Sequence, residues 1–281
     1  MEQGIDFLKG HGTENDFVLL PDPAGALDLT PSRVAALCDR HRGLGADGVL
    51  RVVPGALVPD APPNTSPEDW FMDYRNADGS VAEMCGNGIR VFVRFLLHHD
   101  LASGPVVQVA TRDGVKEVTV LPDGSIRVAM GPVRVADHGV RVRTVAGEEF
   151  DAVTADVGNP HAVSFADDLA RLPLHTAPTW SPPEEFPAGV NLEFASVVGN
   201  RHVAMRVFER GVGETQSCGT GTVAVAAAAR LHTGDSSDQT VTYRVDVPGG
   251  RVEVELTPDQ AYLTGPAVII AHGDVVLPEE G

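Results

Sequence analysis

Two stretches of this chain carry one short frame, Met84-Cys85-Gly86-Asn87-Gly88-Ile89-Arg90 and Ser217-Cys218-Gly219-Thr220-Gly221-Thr222. In each, a cysteine precedes Gly-x-Gly and opens an apolar run that reads as a helix. The match extends upstream. Asn76 stands nine positions before Cys85, and Glu209 nine before Cys218. Met72 and Met205 both stand thirteen positions before their cysteine. Arg75 and Arg210 flank the matched polar residues, and Asn15-Asp16-Phe17-Val18 is loosely repeated as Asn159-Pro160-His161-Ala162-Val163. Offsets preserved over such distances predict a duplicated unit: strands wrapped around one buried helix, with a cysteine at the helix N-terminus.

The rest of the chain fits that expectation. Residues 4–8, 16–20, 49–53 and 70–75 read as strands, and 31–42 as a helix capped by Thr30 ahead of Pro31. The segment from Gly88 to His98 is apolar nearly all round, and Thr222 to Leu231 is rich in Ala and Val. A helix apolar on every face is buried. Strand patterns fill 105–157, Val203–Glu209 and 240–256, the last a hairpin around Pro248-Gly249-Gly250, and Val268-Ile269-Ile270 reads as a last buried strand. The proline-rich stretches 54–68 and 173–188 read as surface loops. The expected fold is therefore α+β, two similar domains, each of strands wrapped around a central helix. Residues 1–130, completed by the C-terminal strand 266–281, form the domain of Cys85, and 131–265 that of Cys218.

A cysteine at a helix N-terminus meets backbone N–H groups and the positive end of the helix dipole, which favour thiolate. Gly86 and Gly219 let a substrate carboxylate approach the backbone, so its Cα comes to lie beside the thiol. Two such thiols facing one Cα can invert it: one thiolate removes the α-proton while the opposite thiol delivers a proton to the other face. Cys38, in Val34-Ala35-Ala36-Leu37-Cys38, reads as an ordinary core cysteine. Metal ligation needs clustered Cys and His at ligand spacing, and the sequence has no Cys-x-x-Cys. No cofactor is expected. The only lysines, Lys9 and Lys116, lie in no context that suggests a Schiff base.

A formal net charge of −18 disfavours nucleic acid and anionic membrane surfaces as partners. The N-terminus lacks the basic and apolar regions of a secretory signal, and no apolar run reaches membrane-spanning length. Three cysteines in 281 residues fit a reducing cytoplasm rather than a disulfide framework.

Several motifs occur in order: His11-Gly12-x-x-Asn15-Asp16-Phe17, Arg75-Asn76-Ala77-Asp78-Gly79-Ser80, Cys85-Gly86-Asn87-Gly88-x-Arg90, Gly158-Asn159-Pro160-His161, Asn191 and Glu209-Arg210-Gly211-x-Gly213-Glu214-Thr215-x-x-Cys218-Gly219. Together they resemble the diaminopimelate epimerases over roughly residues 5–270. That resemblance implies a fold in which each domain is a mostly antiparallel β-roll around its central helix, a cofactor-independent isomerase that interconverts LL- and meso-2,6-diaminoheptanedioate for lysine and peptidoglycan-precursor synthesis, and a homodimer. It implies Cys85 as proton donor and Cys218 as proton acceptor, labels that swap with reaction direction. It places the reacting carboxylate on Gly86, Asn87, Gly219 and Thr220. Asn15, Asn76, Asn159, Asn191, Glu209 and Arg210 would contact the rest of the substrate, and His161 and Glu209 would tune the thiols. The chemistry agrees: a substrate with two amino-acid ends needs acceptors for ammonium and donors for carboxylate. Two departures stand out. Thr13-Glu14 replaces the family's usual Leu-Gly, and Gly48 stands where many relatives carry Gln. A proline or hydroxyproline racemase is the enzymatic alternative, opposed by Arg210 and the Asn set, because a monocarboxylate needs no distal clamp. An amino-acid-binding protein of the same fold is the non-enzymatic one, opposed by retention of both cysteines.

Overall fold

The computed structural model describes residues 4–277. The chain divides into two compact units. Unit 1 comprises the chain up to Val128 together with the segment from Pro266, and unit 2 is Ala129–Gly265.

Unit 1 begins with a hairpin of β1 (Ile5–Gly12) and β2 (Asn15–Pro21), closed where Gly12 pairs with Asn15. Helix α1 (Pro31–Cys38) follows, started by the Thr30 hydroxyl, which accepts the Arg33 N–H at 3.4 Å. The helix ends at Cys38, four residues short of the sequence expectation. Asp39 turns the chain out of it, and Gly43 folds back so tightly that a Cβ there would lie 2.1 Å from the Ala36 carbonyl oxygen. Then come β3 (Gly48–Pro54), β4 (Trp70–Asn76), α2 (Gly86–His98), β5 (Val106–Thr111), β6 (Gly114–Val120) and β7 (Ile126–Gly131).

Unit 2 contains β8 (Arg134–Arg143), β9 (Glu149–Asp156), β10 (Pro160–Phe165), β11 (Thr179–Ser181), β12 (Asn191–Gly199), β13 (His202–Glu209), β14 (Gly213–Thr215), α3 (Gly219–Thr233), β15 (Val241–Val247), β16 (Gly250–Leu256) and β17 (Ala261–Gly265). The proline-rich stretch read as loop hides β11, which pairs with β8 and sets Trp180 beside Val142. The last strand, β18 (Val268–Val275), belongs to unit 1 and pairs antiparallel with β1. It is an edge rather than a buried strand: Val268 and Ile270 are exposed.

The duplication is visible in the ladders. β1–β2 is antiparallel, β2–β3 parallel and β3–β4 antiparallel; after α2, β4–β5 is parallel and β5–β6 and β6–β7 antiparallel. Unit 2 repeats this sequence as β9–β10, β10–β12, β12–β13, then α3, β13–β15, β15–β16 and β16–β17. The final strands are exchanged. β8, which follows β7, pairs with β9 in unit 2, whereas β18, which follows β17, pairs with β1 in unit 1.

Each roll closes on its helix. α2 touches β1 through β5 and β18, and α3 touches strands around the whole of unit 2. The α2 core residues Ile89, Val91, Phe92, Val93, Phe95 and Leu96 are almost wholly buried. Each large side chain so buried contributes about 1.5–3 kcal/mol. α3 instead buries small side chains, Ala224 and Ala226–Ala229.

Candidate active site

Cys85 and Cys218 are the N-caps of α2 and α3. Both have extended backbone (φ −141°, ψ 119° and φ −119°, ψ 119°), and each sulfur accepts the N–H of the residue three positions on, Gly88 at 3.3 Å and Gly221 at 3.4 Å. Space is tight at the first glycine and closed at the second: a Cβ at Gly88 would lie 3.3 Å from the Cys85 Cβ, and one at Gly221 2.7 Å from the Glu193 Oε1. The first turn of a helix presents N–H groups that intrahelical bonding leaves over, so each thiol stands beside a ready anion site. Cys38 lies in the core, where burial pushes its thiol up to about 12.

In unit 1, the frame brings Cys85, Gly86, Asn87 and Asn15 together. The Asn15 Oδ1 accepts the Asn87 amide at 3.1 Å and faces the Cys85 sulfur at 3.8 Å, while its Nδ2 donates to Asp47 at 2.8 Å. Asp47 belongs to an ion cluster with Arg40, Asp16 and Lys9. The turn before Asn15 is strained: Thr13 and Glu14 have φ of 51° and 60°. Thr13 is tied there by the Arg90 guanidinium at 3.3 Å. Arg90 lies wholly inside the protein, donating to the carbonyls of Gly86 and Pro266. Burial pulls it down to about 10, opposed by the nearby Cys85, so it is a cation at neutral pH behind that thiol. The sequence reading passed over Arg90 as part of a motif. Asn76 ends β4 and donates to the Ser80 hydroxyl at 3.0 Å; it pairs in register with Gly48. A side chain at Gly48 would meet the Arg75 carbonyl oxygen at 2.6 Å and the Tyr74 ring at 2.8 Å.

In unit 2, a hydrogen-bonded chain runs to the other sulfur. The Glu193 Oε1 lies 2.7 Å from His161 Nδ1; His161 Nε2 lies 2.9 Å from Asn159 Oδ1. The Asn159 Nδ2 donates to Thr220 Oγ1 at 3.4 Å, which lies 3.5 Å from the Cys218 sulfur. The Glu209 carboxylate accepts the Thr215 hydroxyl. Burial pushes Glu209 up, and hydrogen bonds from Thr215 and Cys218 partly offset this. The Cys218 thiol is raised well above its ordinary value, first by burial and then by the charges of Glu209 and Glu193. Thr220 and the Gly221 N–H pull it back, the field expected at a helix N-terminus. Burial and the carboxylates outweigh that field in this unit. Asn191 spends both polar atoms on the backbone, donating to Pro160 O at 3.1 Å and accepting the Arg210 N–H at 3.0 Å. It sets the position of Arg210, whose side chain lines a cavity of about 560 Å³ with Asn159, Arg134 and Phe186.

Sequence reasoning missed Glu193. In Asn191-Leu192-Glu193-Phe194 it reads as the solvent-facing member of an alternating strand. No group of three or more His, Cys, Asp or Glu side chains among the described residues is arranged to hold a metal ion. No described helix is long and apolar enough to cross a membrane.

A sequence profile of diaminopimelate epimerase matches residues 7–136 and 153–270. The diaminopimelate epimerase of Streptomyces coelicolor is 51% identical over 279 residues, covering 98% of this chain and 96% of the relative. That of Rhodococcus opacus is 50% identical over 286 residues, with 96% and 97% coverage. Among solved structures, a phenazine biosynthesis protein of the PhzF family from Bacillus anthracis superposes with a TM-score of 0.73 at 16% identity, covering 97% of this chain and 99% of its own. A hydroxyproline epimerase from Agrobacterium vitis superposes with a TM-score of 0.71, also at 16% identity, covering 99% and 95%. These two share the fold; their low identity carries nothing about substrate.

Proposed function

This chain belongs to the diaminopimelate epimerase family, and on that footing we propose that it interconverts LL- and meso-2,6-diaminoheptanedioate by proton transfer between two thiols. The observation that carries the reading is the pair of N-capping cysteines, one in each duplicated unit, each beside glycine-flanked backbone donors. The thiolate form of one cysteine takes the α-proton. The electron pair left on Cα spreads into the adjacent carboxylate, where the helix N-termini stabilise the developing charge. The opposite thiol gives its proton to the other face of the same carbon. The sulfurs thereby exchange protonation states, no redox change occurs and no cofactor is required by the balance. The backbone of Gly86, Asn87, Gly219 and Thr220 would receive that carboxylate. Asn15, Asn76, Asn159, Asn191, Glu209 and Arg210 would contact the rest of the substrate, with the Arg210 backbone held by Asn191. His161 and Glu209 would tune the acid and base.

The reaction requires both sulfurs to reach one Cα from opposite faces in opposite protonation states. The family resemblance extends the reading to a homodimer, to be measured by sedimentation, and the sparse cysteines support a reducing, cytoplasmic location.

Proton exchange in deuterium oxide tests the reaction. LL-diaminopimelate incubated with the chain is expected to gain deuterium at one Cα and to yield the meso isomer; absence of both overturns the reading. Cys85→Ser and Cys218→Ser are each expected to lower kcat by about 10²–10⁴-fold, the usual contribution of a positioned acid or base. Full activity in either variant would overturn the two-thiol mechanism.

A further inference from the structure

The parallel ladders align the two units residue by residue. Phe17 pairs with Gly48 in unit 1, and His161 with Asn191 in unit 2. Two residues further along these strands, Leu50 therefore corresponds to Glu193. The side chains confirm the match. Leu50 Cδ2 lies 3.4 Å from where a Cβ would stand on Gly88, and Glu193 Oε1 lies 2.7 Å from the same point on Gly221. Behind one capped helix the fold places an apolar pair, Phe17 and Leu50; behind the other it places His161 and Glu193, with no exposed surface on either side chain.

Nothing in the architecture calls for the polar pair, because unit 1 fills these positions with hydrocarbon. A buried carboxylate is costly unless its oxygens are satisfied. Glu193 is only half satisfied: Oε1 meets His161, while the buried Oε2 finds no partner among the described groups. A group that a simpler solution would replace without loss of packing, and that points at the first turn below Cys218, is held for what it does there.

We propose that Glu193 is a positioning residue of the isomerisation, which orients the His161–Asn159–Thr220 chain and keeps the proton on the Cys218 sulfur between turnovers. The proposal rests on the two-thiol reading above. Its effect is exerted alongside the other groups around the sulfur: Glu209 from β13, itself bonded by Thr215 from β14, His161 from β10 through Asn159, and Thr220 with the Gly221 N–H from α3. Of these only the carboxylates favour the protonated form, so loss of the Glu193 charge has a defined sign.

The test uses the full-length chain and the pH dependence of iodoacetamide alkylation, resolved by peptide mass spectrometry. In Glu193→Gln the alkylation midpoint of Cys218 is expected to fall by about one pH unit. The midpoint of Cys85 should stay in place, and kcat should drop about tenfold with KM little changed. The double variant His161→Phe with Glu193→Leu installs the pair that unit 1 carries. It is expected to unfold at the wild-type temperature or above it, to shift the Cys218 midpoint the same way and to lose turnover. A Cys218 midpoint equal to wild type in both variants overturns the proposal, as does wild-type kcat in the double variant. Failure of the wild-type chain to exchange the α-proton would instead overturn the reaction itself, and leaves the alkylation shift as a separate result.

Discussion

Five positions after Cys85 stands Arg90, a cation with no exposed surface; five positions after Cys218 stands Val223, equally buried and uncharged. Beside Gly88 lies Leu50, and beside Gly221 lies Glu193. The backbone frame, the capped sulfur and the two glycines are the same in both units, yet one thiol is backed by positive charge and the other by carboxylates. What both sulfurs need in common, placement over a helix N-terminus, is carried by the duplicated geometry. The charge around each sulfur, which the proposed two-thiol reaction requires to differ, is carried by side chains that the duplication did not preserve. The units also steady their hairpin asparagines differently. Asn15 leans on the half-exposed cluster of Asp47, Arg40, Asp16 and Lys9, whereas Asn159 leans on the buried His161.

The largest effect on this contrast should come from Arg90→Met. It removes the donor to Gly86 O, Pro266 O and Thr13, and is expected to lower stability by about 3 kcal/mol, roughly one for each lost hydrogen bond. The alkylation midpoint of Cys85 should rise while that of Cys218 holds. Urea unfolding and alkylation read the two effects, and an unmoved Cys85 would break the claim that the cation serves that thiol.

Asp16→Asn should act less strongly and only through charge. Burial pushes this carboxyl up, but Arg40 and Lys9 more than offset it and hold it at about 2. A group depressed in the folded state stabilises above its unfolded value and loses that contribution as pH falls through the folded one. The variant is therefore expected to be about 2 kcal/mol less stable at pH 7, with the difference vanishing near pH 2. Thermal unfolding across this range checks it, and a gap that persists at pH 2 would remove the ion cluster as the cause.

The smallest effect concerns the residue before each asparagine. Unit 2 has Gly158 there at φ 88°, and unit 1 has Glu14 at φ 60°. Glu14→Gly relieves a left-handed side-chain residue, partly offset by the greater freedom of glycine when unfolded. A gain of about 0.5 kcal/mol is expected in denaturant titration; a loss would mean that the Glu14 side chain holds the turn.

The duplication, the two capping cysteines and the central helices were legible because each rests on local signals: glycine at fixed offsets and runs apolar on every side. Glu193 was not. Period-two reasoning sends it to solvent, since Leu192 and Phe194 enter the core of unit 2, but β12 is covered on its other face by α3. Only the alignment of Gly48 with Asn191 would have exposed it, as a charged residue standing opposite a leucine. β18 failed for the converse reason. Its isoleucines suggest burial, yet an edge strand with a single neighbour leaves part of its apolar surface outside. α1 ended early because Asp39 and Gly43 reverse the chain, a feature that helical spacing alone does not register.

The exchanged final strands bear on where such a chain could begin. β18 runs antiparallel to β1, with Val275 opposite Ile5, so the end of β18 lies next to the start of β1. A circular permutant opened before Pro266, with the end of β18 connected to the start of β1, would carry unit 1 and then unit 2 as two uninterrupted segments. In the natural order unit 2 is one uninterrupted segment, whereas unit 1 is assembled from segments on both sides of it. A ribosome that has finished unit 2 must still supply β18 before the sheet around the Cys85 helix can close.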